Sequence, residues 1–193
     1  MAAHPDGRDL WNIRGVLLRM LRRPREALAA LDEALRLDPG FTGGMVNRGN
    51  VLLDLGEGEA ALAAFTRLLD LDPQGPMPRT LVGRALLRLG RADAAVARFR
   101  EAVSLKPDYA EAWLDLVGAL NHLKRFDEVE AALNDALLAN PGNGKLLEGK
   151  ALVLRVSGQT KRTESFLRDM LAHLPAAAWV HFHLGNLLTE TAT

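Results

Sequence analysis

The sequence predicts an all-α solenoid of antiparallel helix pairs, and three observations carry that reading. Pro5, Pro39, Pro73, Pro107, Pro141 and Pro175 stand 34 residues apart with no insertion or deletion, and self-similarity at that period marks stacked helical units. Between the prolines, apolar residues recur at helical rather than alternating spacing. Four of the five intervals also carry an internal break, at Gly56, Gly90 and Gly158 or around Lys124 and Arg125, and in the first Pro24 opens a second helix, so each divides into two helices.

The elements follow in order from this ruler. Residues 1–7 read as the end of a preceding partial repeat, closed by Pro5, with Asp6 as the cap of a helix starting near Arg8 and running to about Leu21. Leu10, Trp11, Leu17, Leu18 and Leu21 set its helical period. Pro24 suits the first turn of the second helix, which runs to about Leu37 before Asp38-Pro39 ends it. The first repeat is therefore 8–41. The second, 42–75, has Thr42 as candidate cap and turns at Gly56; the third, 76–109, opens at Pro76 and turns at Gly90. The fourth, 110–143, opens at Ala110; the fifth, 144–177, opens at Gly144, turns at Gly158 and closes at Pro175. Residues 178–193 suffice for one more helix, a partial repeat or a solvating end, and the whole is expected to be one solenoid domain.

Columns read across the repeats explain the expected packing. Gly15, Gly49, Gly83 and Gly185 share one place, filled by Val117 and Ala151 in the other two units. Ala27, Ala61, Ala95, Val129 and Thr163 form a second small column, faced by the large residues Leu31, Phe65, Phe99, Leu133 and Leu167. Leu18, Leu52, Leu86, Leu120, Leu154 and Leu188 hold a further column. Small opposite large, in register, is how facing helices interdigitate without voids.

Composition narrows the function classes. The chain is 48% hydrophobic and 25% charged, which places it among folded rather than disordered proteins. Its 24 basic and 24 acidic residues cancel, which argues against a nucleic-acid binder. The absence of cysteine removes disulfides and thiolate chemistry and is compatible with a reducing cytoplasm, the expected location. No apolar run approaches the roughly 20 residues of a membrane span. Ala- and Arg-rich usage points to a bacterial source.

These columns resemble the tetratricopeptide repeat (TPR), a helix–turn–helix of 34 residues with a Trp, Leu-Gly, Tyr, Ala, Phe, Pro pattern. The pattern is incomplete: Trp stands only at Trp11 and Trp113, the Tyr place is always Leu, and Arg14, Arg48 and Lys150 occupy the Leu place beside the glycine. Those three cations must lay their stems along apolar surface and keep their heads wet. The resemblance implies a right-handed superhelix whose concave face, lined by the first helix of each pair, binds a peptide or partner protein without chemistry of its own. The groove places it implies are Asp9, Asn12, Val16 and Arg19, then Val46, Asn50 and Leu53, then Met77, Thr80, Arg84 and Leu87. Glu111, Leu114 and Asn121 follow, and Lys145, Glu148, Leu152 and Arg155 complete the set. Arg84, Lys145 and Arg155 are expected to meet acidic groups of an extended or helical peptide. No three consecutive units supply the Lys, Asn and Arg set of the chaperone-tail clamp, so a chaperone C-terminal tail is not the expected partner.

No reactive constellation emerges. His181 and His183 lie about 200° apart around a helix and cannot share one metal; His122 and His173 stand alone. Ser104, Ser157 and Ser165 lie on or near helix ends with no base beside them. Pro141-Gly-Asn-Gly-Lys145 lacks the glycine, Ser/Thr and strand of a phosphate loop and is expected to be a stop between units. Neither a cofactor nor a metal is expected, and the chain is not expected to be an enzyme. The leading expectation is a protein-interaction scaffold. The alternatives are the substrate-recognition arm of a larger enzyme and a self-assembling structural protein. Stacked repeats expose apolar faces at their ends, so self-association through the repeat ends is a further expectation, as a dimer if two-fold symmetry closes it and a filament otherwise.

Overall fold

A computed structural model describes residues 7–191, and every regular element among them is an α-helix. In chain order these are α1 (Gly7–Met20), α2 (Pro24–Leu37), α3 (Thr42–Asp54), α4 (Gly58–Leu71), α5 (Pro76–Arg88), α6 (Ala92–Leu105), α7 (Ala110–His122), α8 (Phe126–Ala139), α9 (Gly144–Val156), α10 (Thr160–His173) and α11 (Ala178–Thr191). The expected closing proline Pro5 and cap Asp6 lie outside the described residues. The helices fall into two compact units, one ending at Lys106 and the other beginning at Pro107. In the first unit, consecutive helices from α1 to α6 pack on one another, and α1 also meets α3. In the second, α7 to α11 do likewise, with α7 and α11 each also meeting α9.

The same backbone device turns the chain within every pair. A residue in the left-handed region follows the first helix: Arg22, Gly56, Gly90, Lys124 or Gly158. The next N–H then reaches back to the leucine column, as Arg23 to Leu18, Glu57 to Leu52, Arg91 to Leu86, Arg125 to Leu120 and Gln159 to Leu154. That six-residue closure satisfies carbonyls the helix end leaves open. Glycine reaches this conformation without strain, whereas Arg22 and Lys124 pay for it. Between pairs, Pro39, Pro73, Pro141 and Pro175 sit inside short turns closed by Phe41 on Asp38, Gly75 on Asp72, Asn143 on Asn140 and Ala177 on Leu174. Thr42 proves to be the first helical residue rather than a cap. Phe41 holds the cap position, and no side chain caps the helix. Asn143 is a true side-chain cap, accepting from the Leu146 N–H at 3.2 Å.

The small and large columns form the core. Ala27, Ala61, Ala95, Val129 and Thr163 are fully buried, and so are Leu31, Phe65, Phe99, Leu133 and Leu167. In the first unit each column glycine is a socket for the paired helix. A Cβ at Gly15 would lie 2.6 Å from Leu31 and one at Gly83 would lie 2.5 Å from Phe99. One at Gly49 would overlap the Phe65 ring. The leucine column is buried from Leu18 to Leu154, but Leu188 is 45% exposed because no helix follows α11 among the described residues. The cations beside the glycines behave as expected. Arg14 lies over the Trp11 ring at 5.0 Å, Lys150 over Phe166 at 5.4 Å, and Arg48 pairs with Asp32 at 2.6 Å.

Candidate functional site

In the first unit, the implied groove places fall three or four residues apart on α1, α3 and α5, a spacing that lines one face of a helix. Asn12, Val16, Val46, Asn50, Leu53, Arg84 and Leu87 are half-buried, while Arg19 and Met77 are exposed. Thr80 differs: it is 1% exposed and its hydroxyl donates to the Pro76 carbonyl, so it closes the wall instead of presenting a contact. The Asn47 amide donates to the Asn12 side-chain oxygen at 2.8 Å, which fixes α3 against α1 and orients the Asn12 amide.

One end of this face opens into a hollow of about 780 Å³ lined by Arg19, Met20, Arg22, Pro24, Leu53, Asp54 and Arg88. Asp54 takes the Arg19 guanidinium at 2.5 Å, and Arg88 donates to the Leu53 carbonyl at 3.4 Å. Three guanidiniums therefore face one carboxylate, beside the apolar Leu53. Guanidinium forks suit bidentate recognition of carboxylates. Arg22 and Arg88 were not among the implied groove places. Arg22 lies in the left-handed turn and Arg88 one residue past the stripe, so helical periodicity did not single them out.

In the second unit, Leu114 and Arg155 are half-buried, and Glu111, Asn121, Lys145, Glu148 and Leu152 are exposed. Arg155 donates to Glu190 at 3.1 Å, in the same register as Arg19 with Asp54. Its headgroup thus already holds an acid of its own chain. Lys145 remains exposed on α9.

Several of the remaining polar groups make local structural contacts. The His181 Nε2 contacts the Pro175 carbonyl at 2.8 Å, the role that the Trp113 indole N–H plays toward Pro107 at 2.7 Å. His183 is buried edge-on to the Trp179 and Phe182 rings, with its Nε2 3.7 Å from Glu148. Ser104 and Ser157 donate their hydroxyls to the Glu101 and Val153 carbonyls. Among the described residues, no three metal-ligating side chains gather, and no helix is long and apolar enough to cross a membrane.

Comparison with known proteins agrees with this architecture. Family models described as tetratricopeptide repeat match residues 2–40, 15–76 and 86–152. None of the curated proteins matches the sequence. Among solved structures, a thermophilic TPR protein of Thermus thermophilus is 20% identical, with 94% of this chain and 99% of that one covered at a TM-score of 0.69. The pilF protein of Pseudomonas aeruginosa is 18% identical over 87% of this chain and 76% of its own, with a TM-score of 0.71. YrrB, described as a TPR protein with an unusual peptide-binding site, is 19% identical over 89% of each chain at 0.59. At these identities the likeness establishes the fold alone.

Proposed function

The chain belongs to the tetratricopeptide repeat family, whose repeats generally mediate protein–protein interaction, and on that premise we propose that it is a non-catalytic scaffold binding a segment of a partner protein. The segment lies along the face of α1, α3 and α5, within residues 8–109. Its apolar side chains rest on Val16, Val46, Leu53 and Leu87, and one of its carboxylates enters the hollow of Arg19, Arg22 and Arg88. The observation that carries this reading is the imbalance of three guanidiniums over the single carboxylate of Asp54. Asn50 offers the amide group that an extended peptide backbone would meet. YrrB, of similar fold, supports the peptide class of ligand by its description. In the second unit, Leu114, Lys145, Glu148 and Leu152 form the corresponding stripe, with Glu111 and Asn121 at its margins.

Selection from a random peptide library on the intact chain tests the reading. Enriched peptides should place Asp or Glu near an aliphatic residue. Arg22→Glu combined with Arg88→Glu should weaken such a peptide at least about tenfold, about 1.4 kcal/mol. Enrichment of peptides without acids, or full affinity in the double variant, would contradict it.

A further inference from the structure

A second hollow of the first unit lies away from the groove face. It measures about 330 Å³ and is bounded by α2, the Pro39 turn, α3 and α4, with Leu35, Pro39, Met45 and Ala64 as its apolar walls. Met45 and Arg48 stand about 100° and 160° round α3 from Val46, so this hollow is separate from the arginine one. Its volume sits at the small end of the range of ligand sites, about 300–1,000 Å³, and suits one bulky side chain. The rim is charged. Arg48 donates through Nε to Asp32 at 2.6 Å, an in-plane contact that leaves the flat face of the guanidinium open to a ring. Arg67 is exposed on α4 and forms no ion pair among the described residues, although Asp70 stands one turn on. Two cations and one acid leave a positive charge unmatched at the rim.

The same two places in the other repeats show what belongs beside such a cation. The equivalents of Arg48 and Ala64 are Arg14 with Ala30, Val82 with Arg98, Leu116 with Ala132, and Lys150 with Phe166. Arg14 already lies over the Trp11 ring, and Arg98 reaches Glu101 at 2.9 Å. In the last pair the Phe166 ring is half-buried and the Lys150 ammonium lies 5.4 Å from its centre. A cation over an aromatic ring is therefore what these places hold when the chain supplies the ring. Between α2 and α4 the cation is present, but Ala64 supplies no ring and the hollow is left.

We propose that this hollow takes an aromatic side chain of a partner protein, seated against Arg48 as Phe166 is against Lys150, with an acidic residue of the same segment on Arg67. An aliphatic side chain fills the volume but gains nothing from the guanidinium face. A basic neighbour meets Arg67 unfavourably, whereas an acid matches the unpaired charge. The site stands on another side of α3 from the groove and does not depend on what the groove binds.

Methyl NMR of the full chain, titrated with the peptide acetyl-Gly-Phe-Glu-Gly-amide, tests the site. The Met45 and Ala64 methyl signals should shift. Exchanging the peptide's Phe for Leu should weaken binding about threefold, and exchanging its Glu for Gln about as much. Ala64→Phe supplies the ring from within, as Phe166 does in its own repeat. That variant should lose the peptide-induced shift of Met45 and keep a urea midpoint at or above that of wild type. Arg67→Gln, at an exposed place, should weaken the Phe-Glu peptide about threefold and leave the Phe-Gln peptide unchanged. Arg22→Glu with Arg88→Glu should leave the Met45 shift intact, so this site and the groove fail separately. A Met45 signal that does not move, or moves only while Arg22 and Arg88 are present, would overturn the proposal. So would a Leu peptide that binds as well as the Phe peptide, or an Ala64→Phe variant that still binds or is less stable than wild type.

Discussion

The first unit and the second are built on one 34-residue template yet lock their helix pairs differently. In the first, Gly15, Gly49 and Gly83 each receive a buried side chain from the paired helix, Leu31, Phe65 or Phe99, with no space left for a Cβ. In the second, the place facing the paired helix holds Val117 and Ala151, which already carry a Cβ, while Gly185 lies on α11, which has no paired helix among the described residues, and a Cβ there would meet nothing within 4 Å. The knobs there are Leu133 and Leu167, smaller than the two phenylalanines. The period alone therefore makes a repeat; the depth of the socket decides how tightly each pair is held. Interiors packed to crystal-like density respond to single methyl groups, so the two units should respond differently to the same change.

The largest effect expected is at the knobs. Phe65→Ala should cost about 3–5 kcal/mol of unfolding free energy, and Leu133→Ala should fall toward the lower end of about 2–5 kcal/mol. Urea unfolding of the two variants checks the order, and a costlier Leu133→Ala would break the comparison. Next come the turns, which both units share. Gly90→Ala and Gly158→Ala should each lose about 1 kcal/mol, because a Cβ is strained at φ of 73° and 72°. Lys124→Gly should gain up to about 1 kcal/mol by relieving the same strain. Unequal losses at the two glycines would mean that the units differ in their turns as well as their sockets.

The smallest effect is electrostatic. In the second unit, hydrogen bonds from Gln159 and then Arg162 hold the Glu130 carboxyl below its ordinary range. A depressed carboxylate stabilises the fold above its unfolded pKa, and that contribution is lost as pH falls through the folded value. Glu130→Gln should therefore flatten the acid limb of a stability–pH curve and leave the slope at neutral pH unchanged. In the first unit the Glu26 carboxyl is lowered chiefly by the Arg23 hydrogen bond, but both groups are fully exposed. Glu26→Gln should change the acid limb less.

The fold was readable because its signals are local. Prolines 34 residues apart and the internal turns place each helix, and α2 runs over Pro24–Leu37 as its apolar period requires. Legibility ended where a group's partner lies far along the chain or where the backbone substitutes for a side chain. Thr42 has the chemistry of a cap, but the Phe41 carbonyl already accepts the Met45 N–H and starts the helix one residue earlier. The proposed binding face was partly visible. The family resemblance implies its stripe, and the places fall on one helix face, but the tie of Arg155 to Glu190 spans 35 residues and no periodicity announces it. Arg22, a proposed contact, stood outside the stripe because it fills a turn place held elsewhere by glycine, and the burial of Thr80 was not legible because its hydroxyl folds back on its own helix.

The central claim, that socket depth sets how firmly each helix pair is held, meets its most direct test in one pair of variants. Urea unfolding of Gly49→Ala and Gly185→Ala adds the same methyl group at the same repeat place, once under the Phe65 knob and once on α11, where no paired helix supplies a knob among the described residues. Gly49→Ala should lose about 1–3 kcal/mol through overpacking against Phe65. Gly185→Ala should be neutral or gain up to about 1 kcal/mol from the better helix propensity of alanine. Equal losses in the two variants, or a stable Gly49→Ala, would contradict the account.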